Sequence, residues 1–133
     1  VTSLESAGST VSPFKFAVIG RYWTVSVADE VLVQRIPYDA TITNARIRIG
    51  AIDQGGTSSG TLEIDIQKKR GAGAWASIFS TRPSVAAAAG SYAVSTNQVI
   101  SDTDLNAADL IRLDIKTQLT YVVEWEVIIE YTV

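Results

Sequence analysis

The sequence predicts an all-β protein, an antiparallel two-sheet β-sandwich with about eight strands. Apolar and polar residues alternate over several short runs, which is typical of strands with one buried face. Clusters of Gly, Asp, Asn and Ser separate these runs at intervals of about 8 to 15 residues. A length of 133 residues and a hydrophobic content of 47% fit one domain that buries its own core.

The first 13 residues are expected to differ in structure from the rest of the chain. Residues 1–13 are rich in Ser and Thr and follow neither a strand nor a helix period, so we expect an extended N-terminal arm before a single domain at residues 14–133. The predicted strands are residues 14–19, 22–27, 31–36, 45–51, 61–68, 75–80, 110–117 and 121–133, with a weaker one at 93–100. Residues 85–89 can form only a loop or a single turn, because so short a helix is not stable alone.

Alternation is clearest in the second half of the chain. The positions assigned to the core face are Leu62, Ile64, Ile66, Ile111, Leu113, Ile115, Val123, Trp125, Val127, Ile129 and Tyr131. The positions between them, assigned to a solvated face, are Glu63, Asp65, Gln67, Arg112, Asp114, Lys116, Glu124, Glu126 and Glu130. One dry and one wet face per strand indicates antiparallel sheet rather than doubly buried parallel strands.

One earlier strand breaks this alternation. Ile42 is out of phase with Ala45, Ile47 and Ile49, so we expect a bulge or bend near Asn44.

The composition disfavours several classes of function. The chain has no Cys and no His, so it lacks the commonest general base and the usual zinc ligand. Its net charge of -3 opposes binding to a phosphate backbone, and no apolar run is long enough to span a membrane. We therefore expect no nucleic acid, membrane, metal or cofactor as a partner.

Two Gly-rich runs and one acidic run have some features of binding motifs. Residues 54–60 and 70–73 are not phosphate loops, because a strand follows each of them where a helix would be needed. Asp102, Asp104 and Asn106 have the spacing of a calcium loop, but Ala107 and Leu113 stand where Gly and Glu are required. Turn and capping roles explain these side chains more simply.

Neither catalysis nor free-standing sugar binding is favoured. Glu124, Glu126 and Glu130 lie on one face of the last strand, but alternation alone places them in solvent, and the protein is not expected to be an enzyme. Trp75, with Tyr22 and Trp23, borders turns and keeps open a carbohydrate-binding module, whereas Trp125 is in phase with the core.

A succession of short motifs covers residues 41–131. In order it comprises TITNARIRIG at 41–50, GTLEIDI at 60–66, Ile78-Phe79, Arg82-Pro83, an Ala-rich stretch to Gly90, DLIRLDI at 109–115 and the final alternating strand. This succession resembles the jelly-roll-like β-sandwich domains of tailed-bacteriophage virion proteins, found in capsid decoration (cement) proteins and in head and tail fibres. The chain departs from that pattern at Ala108-Asp109, where the family has Gly-Asp, so the turn must avoid a positive φ or strain Ala108.

The resemblance implies a role in the virion. We expect a capsid decoration protein, assembled in the host cytoplasm, that binds the major capsid protein on the outer capsid surface and forms a homotrimer. The candidate contacts in the arm are Val1, Leu4 and Val11. Val122 and Ile128 are further candidates, because they are apolar yet in phase with the charged face. For these two residues, contact within the domain is the alternative.

A second possibility within the same family is a tail or head-fibre domain that binds a host receptor or glycan. For it the candidate exposed loop residues are Gln54, Thr57, Arg70 and Trp75.

Overall fold

The computed structural model describes the backbone of residues 11–25, 28–51 and 59–133, and the side chains of residues 29–51, 59–120 and 125–133. The described chain is an all-β, antiparallel, sandwich-like protein, as the sequence predicts. Its strands are β1 (Val11–Val25), β2 (Ala28–Arg35), β3 (Ala40–Ile49), β4 (Gly60–Lys69), β5 (Ala76–Ser77), β6 (Phe79–Thr81), β7 (Ser84–Ala86), β8 (Val99–Ile100), β9 (Asp104–Leu105) and β10 (Leu110–Thr132). A single 3-10 turn at Ala87–Ala89 ends at Gly90, which confirms the prediction for that stretch.

Strand β10 is the centre of the main sheet. Along one edge it pairs with β1 and then β2, from Val11 opposite Thr132 to Arg35 opposite Leu110. Along its other edge it pairs with β4 through its first half and with β3 through its second half. The short strands β5 and β7 pair with β4, and β9 pairs with β3, while β6 and β8 form a separate two-stranded sheet. The finer jelly-roll assignment stays a prediction.

The length of β10 requires it to curl. A straight strand of 23 residues runs about 75 Å, roughly twice the span of a domain of this size. The apolar residues of both halves, from Ile111 to Ile129, belong to one buried cluster with those of β3 and β4. One face of β10 therefore lines the core along both halves.

Most residues that alternation assigned to the core are buried; Tyr131 is only partly buried, and the side chain of Val123 lies outside the described residues. Leu62, Ile64, Ile66, Val127 and Ile129 are fully buried, and Trp125 is buried as well. Leucine, isoleucine and valine side chains from sequence-distant strands thus form one buried cluster.

Several predicted boundaries differ from those in the structure. Residues 110–117 and 121–133 are one strand, and residues 14–19 and 22–25 are one strand, because the expected breaks are register shifts inside β10 and β1. Strand β1 begins at Val11, three residues inside the predicted arm, and residues 1–10 lie outside the described residues. The predicted strand at 75–80 is divided at Ile78 into β5 and β6, and of residues 93–100 only Val99–Ile100 form a strand.

The bulge expected near Asn44 is confirmed. Asn44 pairs with Glu130 and Ile42 with Tyr131, which leaves Thr43 as the extra residue of β3. The Asn44 side-chain oxygen also accepts a hydrogen bond of 2.8 Å from the backbone N–H of Ala45.

Two threonines hold the corner of β10. The register with β4 shifts on both sides of Thr117, whose hydroxyl accepts from the Glu63 N–H at 3.0 Å and donates to the Thr61 carbonyl at 2.5 Å. The Thr120 hydroxyl likewise accepts from the Ser59 N–H at 2.8 Å. These hydroxyls take the place of ladder hydrogen bonds that the irregular register cannot make.

Replacing Thr117 with valine is expected to lower the free energy of unfolding by about 1 kcal/mol, because both hydrogen bonds are lost at constant side-chain volume. Urea unfolding followed by circular dichroism measures the change. Thr117→Ser keeps the hydroxyl and is the matched control; an equal loss in both variants would show that the hydroxyl is not responsible.

The turn before β10 adopts the strained alternative that the sequence left open. Ala108 has φ +75°, and its N–H donates to the Ile36 carbonyl at 2.8 Å. An L-residue with a side chain pays about 1–2 kcal/mol for this left-handed conformation, which glycine adopts freely.

Ala108→Gly is therefore expected to raise the free energy of unfolding by about 0.5–1 kcal/mol. The relief of backbone strain stabilises the folded state, and the greater conformational entropy of the unfolded chain with glycine offsets part of this gain. Thermal and urea unfolding measure the gain. Ala107→Gly, at the exposed neighbouring position, should give none; destabilisation by Ala108→Gly would contradict the strain.

Candidate functional site

The outer face of the first half of β10 holds a buried polar cluster, which corrects the expectation that this face is solvated. Asp65 of β4 and Asp114 of β10 are opposite each other in register and are both fully buried. Segments that are distant in sequence cover them, so strand periodicity could not predict their burial. No local sequence signal distinguishes them, because the half-buried Glu63 and Arg112 also lie between two core-facing apolar residues.

Asp65 is satisfied by three side chains. Its Oδ1 accepts a hydrogen bond of 2.5 Å from the Ser77 hydroxyl, and its Oδ2 accepts one of 3.1 Å from the Gln67 amide. The Arg82 Nε lies 3.5 Å from Oδ2, and the same guanidinium also donates to Glu63. Arg82 therefore neutralises the carboxylates from outside the sheet.

Asp114 is held mainly by the irregular part of β2. Its Oδ1 accepts a hydrogen bond of 2.8 Å from the Glu30 N–H, which is available because Glu30 has φ +52° and the β2–β10 register shifts there. Arg112 Nε is 3.4 Å from Oδ1, and Lys116 Nζ is 3.7 Å from Oδ2. Two cations thus compensate one buried carboxylate.

Trp75 covers part of this cluster. The Arg112 guanidinium lies over its ring, 4.8 Å from the ring centre, in cation–π contact. The half-buried ring therefore has Arg112 on one of its faces, whereas the sequence-based hypothesis placed Trp75 in an exposed binding loop.

Arg70, the other described candidate loop residue, forms an ion-pair clasp. Its Nε and Nη2 donate to both carboxylate oxygens of Asp109 at 2.9 and 2.8 Å, and Nη2 also reaches Asp104 at 3.1 Å. Asp109 is 2% exposed and accepts a further hydrogen bond of 2.8 Å from the Asn106 N–H. These hydrogen bonds, the Arg70 pair above all, hold the pKa of Asp109 below its ordinary 3.8.

The acidic run at residues 102–106 forms turn and pairing contacts. Asp102 pairs with Lys68 at 2.6 Å and also accepts from the Asp104 N–H at 3.2 Å, which is the turn chemistry expected from the sequence. The Lys68 ammonium donates to the Asp104 carbonyl at 2.8 Å. Among the residues whose side chains are described, no group of three or more acidic side chains is placed to hold a metal ion.

The outer face of the second half of β10 also carries carboxylates that are paired with cations. Arg46 pairs with Glu130 and Arg48 with Glu126, so β3 supplies a cation for each carboxylate. Glu126 is only 9% exposed, which corrects its assignment to a solvated position.

Ile128 lies between these two ion pairs along β10. It is 7% exposed in the single chain, with Lys15 of β1 and Arg46 of β3 opposite it. Contact within the domain, the alternative considered from the sequence, therefore accounts for Ile128, and little of its surface remains for another chain.

The other predicted contact and loop residues fall outside the described side chains. Val11 and Val122 lie in β1 and β10 by their backbones alone, and Val1, Leu4, Gln54 and Thr57 lie outside the described residues altogether.

A shallow groove lies near the beginning of β4, at the end of the strand away from Arg70. It has a volume of about 460 Å³ and is lined by Thr61, Ser84, Val85, Ala86, Ala89, Val94, Thr96 and Asn97. Close to it in the chain, Tyr92 has φ +63° and is 73% exposed. Hydroxyl, amide and small apolar groups can therefore meet a ligand here, and no sequence motif marked this place.

A tyrosine pair lies at the end of the sandwich. The Tyr38 and Tyr131 hydroxyls are 3.0 Å apart and their rings are tilted, with centres 6.3 Å apart. Partial burial, together with this hydrogen bond, raises the pKa of Tyr131 to about 12.

Because of this tyrosine pair, the free energy of unfolding is expected to decline as the pH rises from about 10 to about 12. An unfolded tyrosine ionises near pH 10, whereas the folded Tyr131 keeps its proton to about pH 12, so its contribution is complete below pH 10 and lost as the pH rises. Tyr131→Phe should flatten the decline in urea-unfolding free energy over this range. Tyr92→Phe, at an exposed position, controls for the loss of one phenol; identical slopes in all three proteins would contradict the shift.

No family model, curated protein or solved structure matches the chain. The resemblance to tailed-bacteriophage virion proteins therefore stays a prediction. Within the described residues no helix could cross a lipid bilayer.

Proposed function

We propose that the protein is a virion structural protein of a tailed bacteriophage, a decoration protein that binds the outer capsid surface and stabilises contacts between major capsid subunits. The observation that carries the proposal is the pairing of outer-face carboxylates with cations, among them Asp65 with Arg82 and Glu130 with Arg46. Carboxylates held in this way brace the sandwich and are poorly suited to exchange protons with a substrate.

The motif residues behind the resemblance have structural roles, which supports the same proposal. Arg82 neutralises Glu63 and Asp65, and Asp109 closes the turn that leads into β10. A motif of this kind marks a rigid scaffold, and a rigid scaffold suits a protein that docks many times on a lattice.

Exposed apolar side chains provide candidate contacts. They are Leu32, Val33, Tyr38, Tyr92, Val94, Val99 and Val133, each 39% exposed or more. A weak interface built from such groups stabilises a shell by mass action, because the protein binds the assembled shell and not its separate subunits.

Electron cryomicroscopy of the particle that carries the protein tests the proposal. We expect density of the size of this domain over the threefold or quasi-threefold axes of the capsid, and particles that lack the protein should open at a lower temperature. Absence of the domain from the capsid surface would overturn the proposal.

A tail or head-fibre domain that binds a host glycan is the second candidate, and it is favoured by the exposed Tyr92, which is close in the chain to residues that line the groove on β4. Flat aromatic rings stack on sugar faces, and the groove offers hydroxyl and amide groups for sugar hydroxyls. Density at the tail tip, together with glycan-array binding that Tyr92→Ala abolishes, would replace the first proposal with this one.

A further inference from the structure

Two basic side chains have no carboxylate partner, and they lie in the same row of the sheet. In the part of the chain whose side chains are described, Arg35 of β2 and Lys69 of β4 form no ion pair. The other basic side chains described there each pair with a carboxylate; they are Arg46, Arg48, Lys68, Arg70, Arg82, Arg112 and Lys116. In a protein of net charge -3, these two cations form a local surface of opposite sign to the whole.

Both residues flank Leu110 of β10. Leu110 is opposite Arg35 on one edge of the strand and opposite Lys69 on the other, and neither register shifts before Leu113. Directly opposite residues of antiparallel strands direct their side chains to the same face of the sheet. Leu110 precedes the buried Ile111, so this row lies on the outer face. Because neighbouring strands are about 4.8 Å apart, the backbones of Arg35 and Lys69 are separated by about 10 Å.

Apolar and aromatic surface adjoins the two cations. Leu110 is half-buried, and Arg112, two residues after it, is opposite Val33, which is 44% exposed. The half-buried Trp75 ring covers the Arg112 guanidinium. The nearest carboxylate oxygens are 3.4 and 3.8 Å from the Arg112 nitrogens, which is longer than a good hydrogen bond. Arg112 therefore adds a third, loosely paired cation to this face.

The acidic side chains close to this row are already engaged. Asp109, next to Leu110, accepts hydrogen bonds from Arg70 with both of its carboxylate oxygens, and Asp104 accepts one from the same guanidinium. Asp114 is fully buried and accepts from a backbone N–H of β2. None of these three carboxylates pairs with either of the two free cations.

We propose that this face binds an acidic segment of a partner protein. Its residues are Arg35, Leu110, Lys69, Val33 and Trp75, which together form the Arg35–Lys69 face. Two carboxylates of the segment pair with Arg35 and Lys69, and an apolar side chain between them packs on Leu110 and Val33. An arginine fork binds a carboxylate through two hydrogen bonds, and arginine and aromatic side chains are enriched in protein interfaces.

Other anions fit the Arg35–Lys69 face less well. Binding to a phosphate backbone relies on many cations and is opposed by the negative net charge, and a phosphate offers nothing apolar to Val33 and Leu110. An acidic polysaccharide would stack on a free aromatic ring, whereas the half-buried Trp75 has Arg112 on one of its faces. A protein segment supplies negative charge and apolar surface together.

This inference goes beyond the proposed function, since it concerns the chemistry of one face and holds without a capsid. A contact of this size is weak in dilute solution, and repetition on a lattice strengthens it. Its failure in solution would leave the place of the protein on a capsid untouched. Absence of the domain from a capsid would likewise leave the binding of an acidic segment untouched.

NMR titration of the isotope-labelled full chain tests the proposal with a synthetic peptide as the probe. The peptide is Glu-Ala-Leu-Ala-Glu, blocked at both ends, whose two carboxylates and leucine lie on one side of an extended chain. We expect the backbone amide signals of Arg35, Lys69 and Leu110 and the indole signal of Trp75 to shift together, with a dissociation constant of about 1 mM or lower. Raising the NaCl concentration from about 0.02 M to about 0.2 M should weaken binding.

Arg35→Gln and Lys69→Gln should each weaken the binding of the peptide by about fivefold or more. Arg48→Gln is the matched control, because it removes one exposed cation from the other half of the sheet, where Arg48 is opposite Glu126. It should leave the affinity unchanged, and equal melting temperatures verify that all three variants are folded.

Four results would overturn the proposal. They are the absence of shifts at about 5 mM peptide, equal shifts with the neutral peptide Gln-Ala-Leu-Ala-Gln, equal weakening by Arg48→Gln, and tighter binding of an oligogalacturonate to the same face. The last result would identify an acidic sugar as the ligand in place of a protein segment.

Discussion

Replacing Asp109 with alanine is expected to lower the free energy of unfolding by about 3 kcal/mol. Asp109 is almost completely buried and accepts hydrogen bonds from two nitrogens of Arg70 and from the backbone N–H of Asn106. Alanine leaves the Asn106 N–H and part of the guanidinium without an acceptor. Arg70 remains half-exposed, with 46% of its side chain accessible to water, which keeps the loss at the lower end of the range for buried ion pairs.

Urea unfolding of the purified variant measures this loss. Asp102→Ala is the control, because Asp102 also pairs with a cation but its side chain is 41% exposed, and an exposed pair contributes less than about 1 kcal/mol. A loss for Asp109→Ala as small as that for Asp102→Ala would show that the clasp is not a stabilising contact.

The same carboxylate should produce a pH dependence. Because the folded-state pKa of Asp109 is lowered, its contribution is fully present above the unfolded value near 3.8 and is lost as the pH falls through the lower folded value. Wild-type stability should therefore decline below about pH 4 more steeply than that of Asp109→Asn, which has no charge to lose. If the free energies of unfolding of the two proteins declined equally below about pH 4, this would contradict the lowered pKa.

Gly60→Ala is expected to cost about 2–4 kcal/mol. Gly60 has φ +94°, and a Cβ at this position would lie 2.6 Å from the backbone carbonyl oxygen of Gln118. Gly60 is opposite Leu119, at the corner where β10 is displaced from β4. The carbonyl belongs to the backbone of the central strand, so it cannot move aside without disturbing the corner.

Gly71→Ala separates the two causes of this loss. Gly71 also has a positive φ, +56°, but a Cβ there would meet no atom within 4 Å. Its replacement should cost about 1 kcal/mol, the backbone cost alone. If thermal unfolding gave equal losses for both variants, close approach at the corner would not be the reason for glycine at position 60.

The sequence predicted the parts of the fold that depend on strand periodicity. Leu62, Ile64 and Ile66 are all fully buried, as their alternation indicated, and the phase of Trp125 placed it correctly in the core. The same rule divided β10 at residues 118–120, because it cannot distinguish the end of a strand from a corner at which side-chain hydroxyls replace ladder hydrogen bonds.

Burial on the outer face was not predictable in this way. Asp65 alternates like a solvent-facing residue, yet Ser77 and Arg82 from later segments cover it. Asp114 is covered through the N–H of Glu30, whose backbone conformation no local pattern marks. Such contacts arise between segments far apart in sequence, so they depend on the assembled tertiary structure and not on the properties of one strand.

The pairing of β1 and β2 along one edge of β10 gives the domain a mechanical resistance that depends on the direction of the tension. Val11 is paired with Thr132, so tension applied through these two residues separates the ladder one pair at a time and meets little resistance. Tension between Val11 and Leu110, at the far end of β10, instead loads the β1–β10 pairs along the strand direction, so several pairs oppose it together. An attachment near Leu110 would therefore let the domain carry load, whereas an attachment near Thr132 would let it unzip.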